Sequence, residues 1–217
     1  MLDSIISLSN LSILIALVVA VTIHEFSHAF MANYLGDPTA KYAGRLSLNP
    51  IRHLDPVGTI VLLIFLFTVG WGFGWGKPVP INPYNLRHRH GELLVSLAGP
   101  LSNFLLAILM IILLALLPPG VTKGWSMNFF DLINAIISLN VVLGIFNLLP
   151  IPPLDGSKVL FDLLPAGRSE IRSGLEKYGL FILIAVIFFG AGLIITLATF
   201  ILGALRYLEQ ALHGAIY

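Results

Sequence analysis

Four runs of this chain, 11–34, 92–117, 129–149 and 178–205, each hold at most one acidic or basic residue. A helix needs about 20 apolar residues to cross a bilayer, and in hydrocarbon only helices and closed barrels satisfy every backbone group. Runs of this length commit the chain to spanning helices. Composition agrees, because 11% of its 217 residues are charged, against about 25% in soluble domains. The fold class expected is an all-α polytopic membrane protein with four full transmembrane helices, surrounded by the lipid bilayer. The net charge of +1 carries no basic stripe, so no nucleic acid is expected as a partner. Residues 1–10 lack Lys and Arg, so they lack the n-region of a signal peptide, and the first run is expected to be retained.

Inside that first run lies His24-Glu25-Phe26-Ser27-His28. Ionisable groups are costly at membrane depth and mark function by default. Two His at i and i+4 share one helix face, and a Glu beside the first can act as base on a water activated by a bound metal. The chain has no Cys, so thiolate ligands and disulfides are excluded, and a His/carboxylate set suits zinc.

The stretch 57–76 is uncharged, but its apolar part is short and it dissolves into Gly70-Trp71-Gly72-Phe73-Gly74-Trp75-Gly76. Charge decides how to read it. If it does not cross, the connections 36–91 and 150–177 share one side and hold ten of the 12 basic residues, leaving Lys123 and Arg206 opposite. The positive-inside rule then puts both connections in the cytoplasm and the N-terminus outside. A re-entrant or hairpin element is therefore expected at 57–76. Segments 41–48 and 77–83 read as extended strands, a small β region at the membrane surface. Pro78, Pro80 and Pro83 exclude helix there. An open strand edge could pair with an unwound substrate; a plain surface hairpin fits equally well. The run 178–205 is too long for one perpendicular crossing and is expected to bend at Gly190 and Gly192 or to end in the interface. Residues 1–217 read as one membrane-embedded domain, with a core at 11–156 and a C-terminal helical region at 178–213.

A catalytic zinc needs a third protein ligand. Metzincin spacing fails, because Met31 and Tyr34 stand where Gly and His are required. A thermolysin-like Glu fails too, since the next Glu after Glu25 is Glu92. Among Asp37, Asp55, Glu92, Asp131, Asp155 and Asp162, Asp155 stands out. It follows Pro150, Pro152 and Pro153, which break the third span, and it returns to the side on which the first span ends. A turn or helix-cap Asp is the alternative.

HEFSH in one span, followed by Asn147-x-x-Pro150-x-x-x-x-Asp155-Gly156 in a later one, resembles the site-2 protease family of intramembrane zinc metalloproteases. Gly99-x-x-x-Asn103 is similar to a stretch on that family's intervening core helix. Asn49-Pro50 with His53-x-Asp55-Pro56-x-Gly58 is similar to compact prokaryotic members without a PDZ or CBS domain. The resemblance covers roughly 11–156. It implies one Zn²⁺ held by His24, His28 and Asp155, with Glu25 as the catalytic base and Asn147 binding the oxyanion. It places Asn103 and His53 as weaker candidates for substrate or outer-sphere roles. Interhelical hydrogen bonding is the alternative for Asn147, close helix packing is the alternative for Gly99 and Asn103, and a surface loop is the alternative for His53. His88, His90 and His213 read as solvent-facing or interfacial. The implied reaction is hydrolysis of a peptide bond within or near a transmembrane segment of a membrane-protein substrate, as in regulated intramembrane proteolysis, in a prokaryotic cell membrane. A membrane metal or solute transporter is the competing class, since it too would bury His and carboxylates beside broken helices.

Overall fold

The computed structural model describes residues 8–69, 75–118, 127–165 and 169–217. Its helices are α1 Leu8–Tyr34, α2 Thr39–Tyr42, α3 Pro56–Val69, α4 Gly91–Ala115, α5 Met127–Asn147, α6 Asp155–Leu163, α7 Ser169–Phe189 and α8 Ala191–Ile216. Short 3-10 turns lie at Pro50–Arg52 and Pro83–Asn85. Four segments are long and apolar enough to cross a membrane: Leu11–Tyr34, Gly91–Ala115, Phe129–Asn147 and Ala191–Ile216. This is a multi-pass membrane protein.

Helices α1, α4 and α5 pack on one another, and α8 lies against α4 and α5. Lipid offers no hydrophobic force between helices, so close van der Waals contact must hold them. Small residues allow that approach: Ala16, Ala20, Ala29 and Ala32 of α1 are fully buried. Between α4 and α5 the core is Ala107, Ile111, Ile133, Ile137, Val141 and Ile145, closed by Ala198 of α8. Large apolar side chains such as Phe188, Phe189 and Phe200 face outward, as a lipid-facing surface requires.

The run 178–205 proves to be parts of two helices. Gly190 ends α7, its N–H donating to Val186 O at 2.7 Å, and α8 starts at the next residue. A Cβ at Gly190 would sit 2.8 Å from that same carbonyl. The fourth candidate span is thus α8, centred twelve residues beyond the middle of the apolar run; α7 carries Glu170, Arg172, Glu176 and Lys177 in its first half.

The expected β region is absent among the described residues, which hold no strand and one isolated bridge, Leu54 with Gly76. Residues 39–42 form a helical turn ended by Gly44 at φ 69°. The segment after Lys77 is extended, but the Arg45 guanidinium takes the Lys77 and Pro78 carbonyls and the Arg52 carbonyl. Its prolines have no N–H for a ladder. A guanidinium has replaced the neighbouring strand.

Helix α3 has 14 residues, about 21 Å of rise, which is short of a bilayer core of about 30 Å. Asp55 caps it, accepting from the Gly58 N–H at 2.8 Å, and Pro56 takes the first helical position. By Trp75 the chain is back at the start of the helix: a Cβ on Gly58 would lie 2.2 Å from Trp75 O. Residues 70–74, including Trp71, lie outside the described residues, as do Lys123 and Arg168.

Candidate metal centre

His24 and His28 are one turn apart on α1, both 6% exposed, with ring centroids 4.6 Å apart and planes at 88°. Asp155 is the first residue of α6, delivered by the loop after α5. Gly156 lets that loop close, because a Cβ there would meet Leu148 O at 2.3 Å and Leu149 O at 2.5 Å. Asp155 Oδ2 lies 3.1 Å from His24 Nε2 and 3.1 Å from His28 Nε2, and the two Nε2 atoms are 3.0 Å apart.

The outer nitrogen of each ring says what the inner one is. His28 Nδ1 is 2.7 Å from Val95 O, which can only accept. His24 Nδ1 is 2.7 Å from Asn103 Oδ1. Both Nδ1 atoms therefore carry the proton, and each neutral ring presents an Nε2 lone pair inward. Two imidazole nitrogens and a carboxylate oxygen converge on one point, an arrangement that could hold a metal ion. Ligands 2.0–2.1 Å from a tetrahedral zinc lie about 3.3 Å apart, within a few tenths of an ångström of these separations. The donor set fits Zn²⁺.

Helix α4 frames the rings. Val95, Gly99 and Asn103 recur every four residues and so line one face. Val95 O holds His28, Asn103 holds His24, and Gly99 lies between. A Cβ on Gly99 would be 2.4 Å from His28 Nε2 and 2.6 Å from His24 Cε1. Pro100, inside α4, has no N–H to donate to the Ser96 carbonyl one turn back.

Glu25 is half-buried on the adjoining face of α1. Its Oε1 lies 3.7 Å from the position a Cβ on Gly76 would take, so the chain returning from α3 passes directly over it. His53 is fully buried, not a surface group, and does not bond the cluster. Its Nε2 donates to Ser47 O at 2.6 Å, and its carbonyl accepts from Lys77 N at 2.8 Å, which anchors the segment beside Glu25. Asn147 sits at the end of α5, where its Nδ2 donates to Leu143 O at 3.0 Å. His90 is partly exposed and pairs with Asp162 at 2.6 Å; His213 bonds Ala115 O at 3.1 Å.

Three residues near the site escape a reading by motif. Asn140, fully buried, bonds Asn103. Gly76 packs against α1, and Arg45 fastens the segment that carries it. An Asn within an apolar span is a usable signal for the first; a Gly in a Gly-rich run and a loop Arg give none.

A family model described as Peptidase family M50 matches residues 120–190, which include Asn147 and Asp155. Two similar curated proteins are named "Putative zinc metalloprotease": YwhC of Bacillus subtilis and Rip2 of Mycolicibacterium smegmatis. YwhC is 43% identical over 81% of this chain and 79% of its own length. Rip2 is 30% identical over 76% of this chain and 62% of its own length, so the chain spans less than two thirds of that relative. "Zinc metalloprotease MJ0392" of Methanocaldococcus jannaschii is 26% identical over 73% of this chain and 36% of its own length. No solved structure matches.

Proposed function

Because this chain belongs to peptidase family M50, the site-2 protease family of membrane zinc metalloproteases, we propose that it hydrolyses peptide bonds within or beside transmembrane segments of membrane proteins. One observation carries the reading: His24 Nε2, His28 Nε2 and Asp155 Oδ2 converge within 3.0–3.1 Å beside Glu25, on a helix long enough to span. A pure transporter reading gives Glu25 and the enclosing Gly76 segment no task.

In this reading His24, His28 and Asp155 hold one Zn²⁺. When bound, zinc supplies a Lewis acid that polarises the scissile carbonyl and makes water nucleophilic near neutral pH. Glu25 takes the proton from the attacking water and passes it to the leaving amine. The Asn147 amide has two N–H bonds; one goes to Leu143 O, and the other serves the oxyanion that develops on the substrate carbonyl. The substrate helix unwinds first, since helical carbonyls are held in i to i+4 bonds. The basic connections face the cytoplasm of a prokaryotic cell and the N-terminus lies outside.

The test uses purified full-length protein and a transmembrane reporter peptide. Glu25→Gln abolishes cleavage, by at least 10²-fold, and keeps zinc. Asp155→Ala loses both zinc and cleavage. Cleavage retained by Glu25→Gln overturns the role of Glu25, and full zinc occupancy in Asp155→Ala overturns the ligand set.

A further inference from the structure

We propose that Asn140 of α5 is a positioning residue for the metal centre: it fixes the orientation of the Asn103 amide and, through it, the tautomer of His24. The proposal rests on the reading of His24 as a metal ligand.

The argument starts at a backbone carbonyl. Asn140 Nδ2 is 2.8 Å from Ile136 O, one turn back on its own helix. A carbonyl only accepts, so the amino end of Asn140 must point there. Its Oδ1 therefore points away, and it lies 2.7 Å from an Asn103 side-chain atom. An oxygen there needs a donor, so that atom is the Asn103 amino group. The same group also donates to Ala20 O at 3.2 Å, a second and longer bond that favours the same orientation. With its amino end spoken for, Asn103 turns its oxygen to His24 Nδ1, 2.7 Å away. The proton must then sit on Nδ1, and Nε2 is bare.

Reverse the Asn103 amide and the logic inverts. An NH₂ facing Nδ1 makes that nitrogen an acceptor and sends the proton to Nε2, the atom that faces Asp155 and His28. The His24 lone pair is then blocked. Both Asn103 and Asn140 are fully buried, so no water competes for these groups, and the relay runs from α5 through α4 to α1. His28 needs no such device, because its Nδ1 partner is the Val95 backbone carbonyl, which cannot flip.

The test measures Zn²⁺ affinity of the full-length protein by competition with a chelator, with a thermal melt to confirm folding. Asn140→Leu removes the acceptor at nearly constant volume and is expected to weaken zinc about tenfold, as loss of an outer partner does. Asn140→Asp is expected to stay within about twofold of wild type, because a buried neutral carboxylic acid can donate its O–H to Ile136 O and still accept from Asn103. His24→Ala is the reference and weakens zinc by more than either. Asn140→Leu binding as wild type, or folded Asn140→Asp weakening as much as Leu, overturns the proposal. If Asn140→Leu does not fold, Asn140→Asp alone decides. A His24→Ala protein with undiminished affinity overturns the ligand reading itself, which is a different failure.

Discussion

Adding one methyl group at Gly99 should disable the metal centre while a comparable change elsewhere does nothing. The new Cβ would lie 2.4 Å from His28 Nε2, 2.6 Å from His24 Cε1 and 2.6 Å from His28 Cε1, where ordinary contact begins at 3.4 Å. Something must move by about 1 Å, and overpacking of this kind costs about 1–3 kcal/mol. The usual relief is blocked. If α4 retreats, it carries Val95 O and the Asn103 side chain with it, and both 2.7 Å bonds to the imidazoles stretch. If the rings turn instead, the Nε2 atoms leave the position they share with Asp155. Either route costs zinc affinity, by about 10- to 100-fold on the scale of lost outer partners. Gly174→Ala is the control: nothing lies within 4 Å of its added Cβ, and the exchange should be neutral or gain up to about 1 kcal/mol of helix propensity. Chelator competition on the two variants, with melting curves, reads the difference. Zinc binding and cleavage by Gly99→Ala at the level of Gly174→Ala would refute the packing argument.

Two further outcomes follow from the same structure. Asp37 is fully buried and accepts from Thr39 N at 3.1 Å, Thr39 Oγ1 at 2.5 Å, Asn82 N at 2.7 Å and Asn85 Nδ2 at 3.0 Å. Burial raises its carboxyl but these bonds outweigh that, so it titrates below its ordinary value; its contribution is present above about pH 3.9 and is lost as pH falls through the lower folded value. Acid unfolding of wild type should therefore steepen below that pH, while Asp37→Asn, weaker at neutral pH by about 2 kcal/mol, should lack the step; parallel acid profiles count against it. On the substrate side, a reporter helix with Gly at the cleavage region should be cut faster than a Leu/Ala version, since Gly costs about 1 kcal/mol in a helix; equal rates would remove unwinding from the scheme.

Three of the four spans, and the grouping of His24 with His28, were legible because they rest on local pattern. An apolar run of sufficient length has one outcome in hydrocarbon, and His24 and His28 share a face by helix geometry alone. Asp155 was reachable because the prolines before it end α5. The surface β region failed for a physical reason that pattern does not carry: whether an extended Pro-rich segment finds a strand or a side chain is decided by the fold, and here Arg45 of a distant loop supplied the donors. Gly190 was legible as a bend in the run 178–205, and the chain does break there; what the pattern did not carry is that the crossing helix continues past 205 to Ile216. Asn140 is the instructive omission. Its neighbour in the relay, Asn103, belongs to a recognisable stretch, but Asn140 is defined by what it touches, 37 residues away.

One conclusion about the path of the chain needs no charge count. On α1, residue numbers rise from His24 to His28; on α4 the partners run the other way, Asn103 for His24 and Val95 for His28. The two helices are therefore antiparallel, and the chain between them begins and ends at the same end of the bundle. A complete crossing by α3 without a return would force α4 to run parallel to α1 and would break both imidazole bonds at once. Trp75 beside Gly58, and Gly76 bridged to Leu54, meet that requirement locally. The distribution of Lys and Arg reaches the same parity from the aqueous side. Hydrogen bonds to two ring nitrogens and the placement of basic residues in loops are independent constraints. Their agreement makes the return of the chain a condition of this imidazole arrangement: α4 then enters in the one direction that can hold His24 and His28.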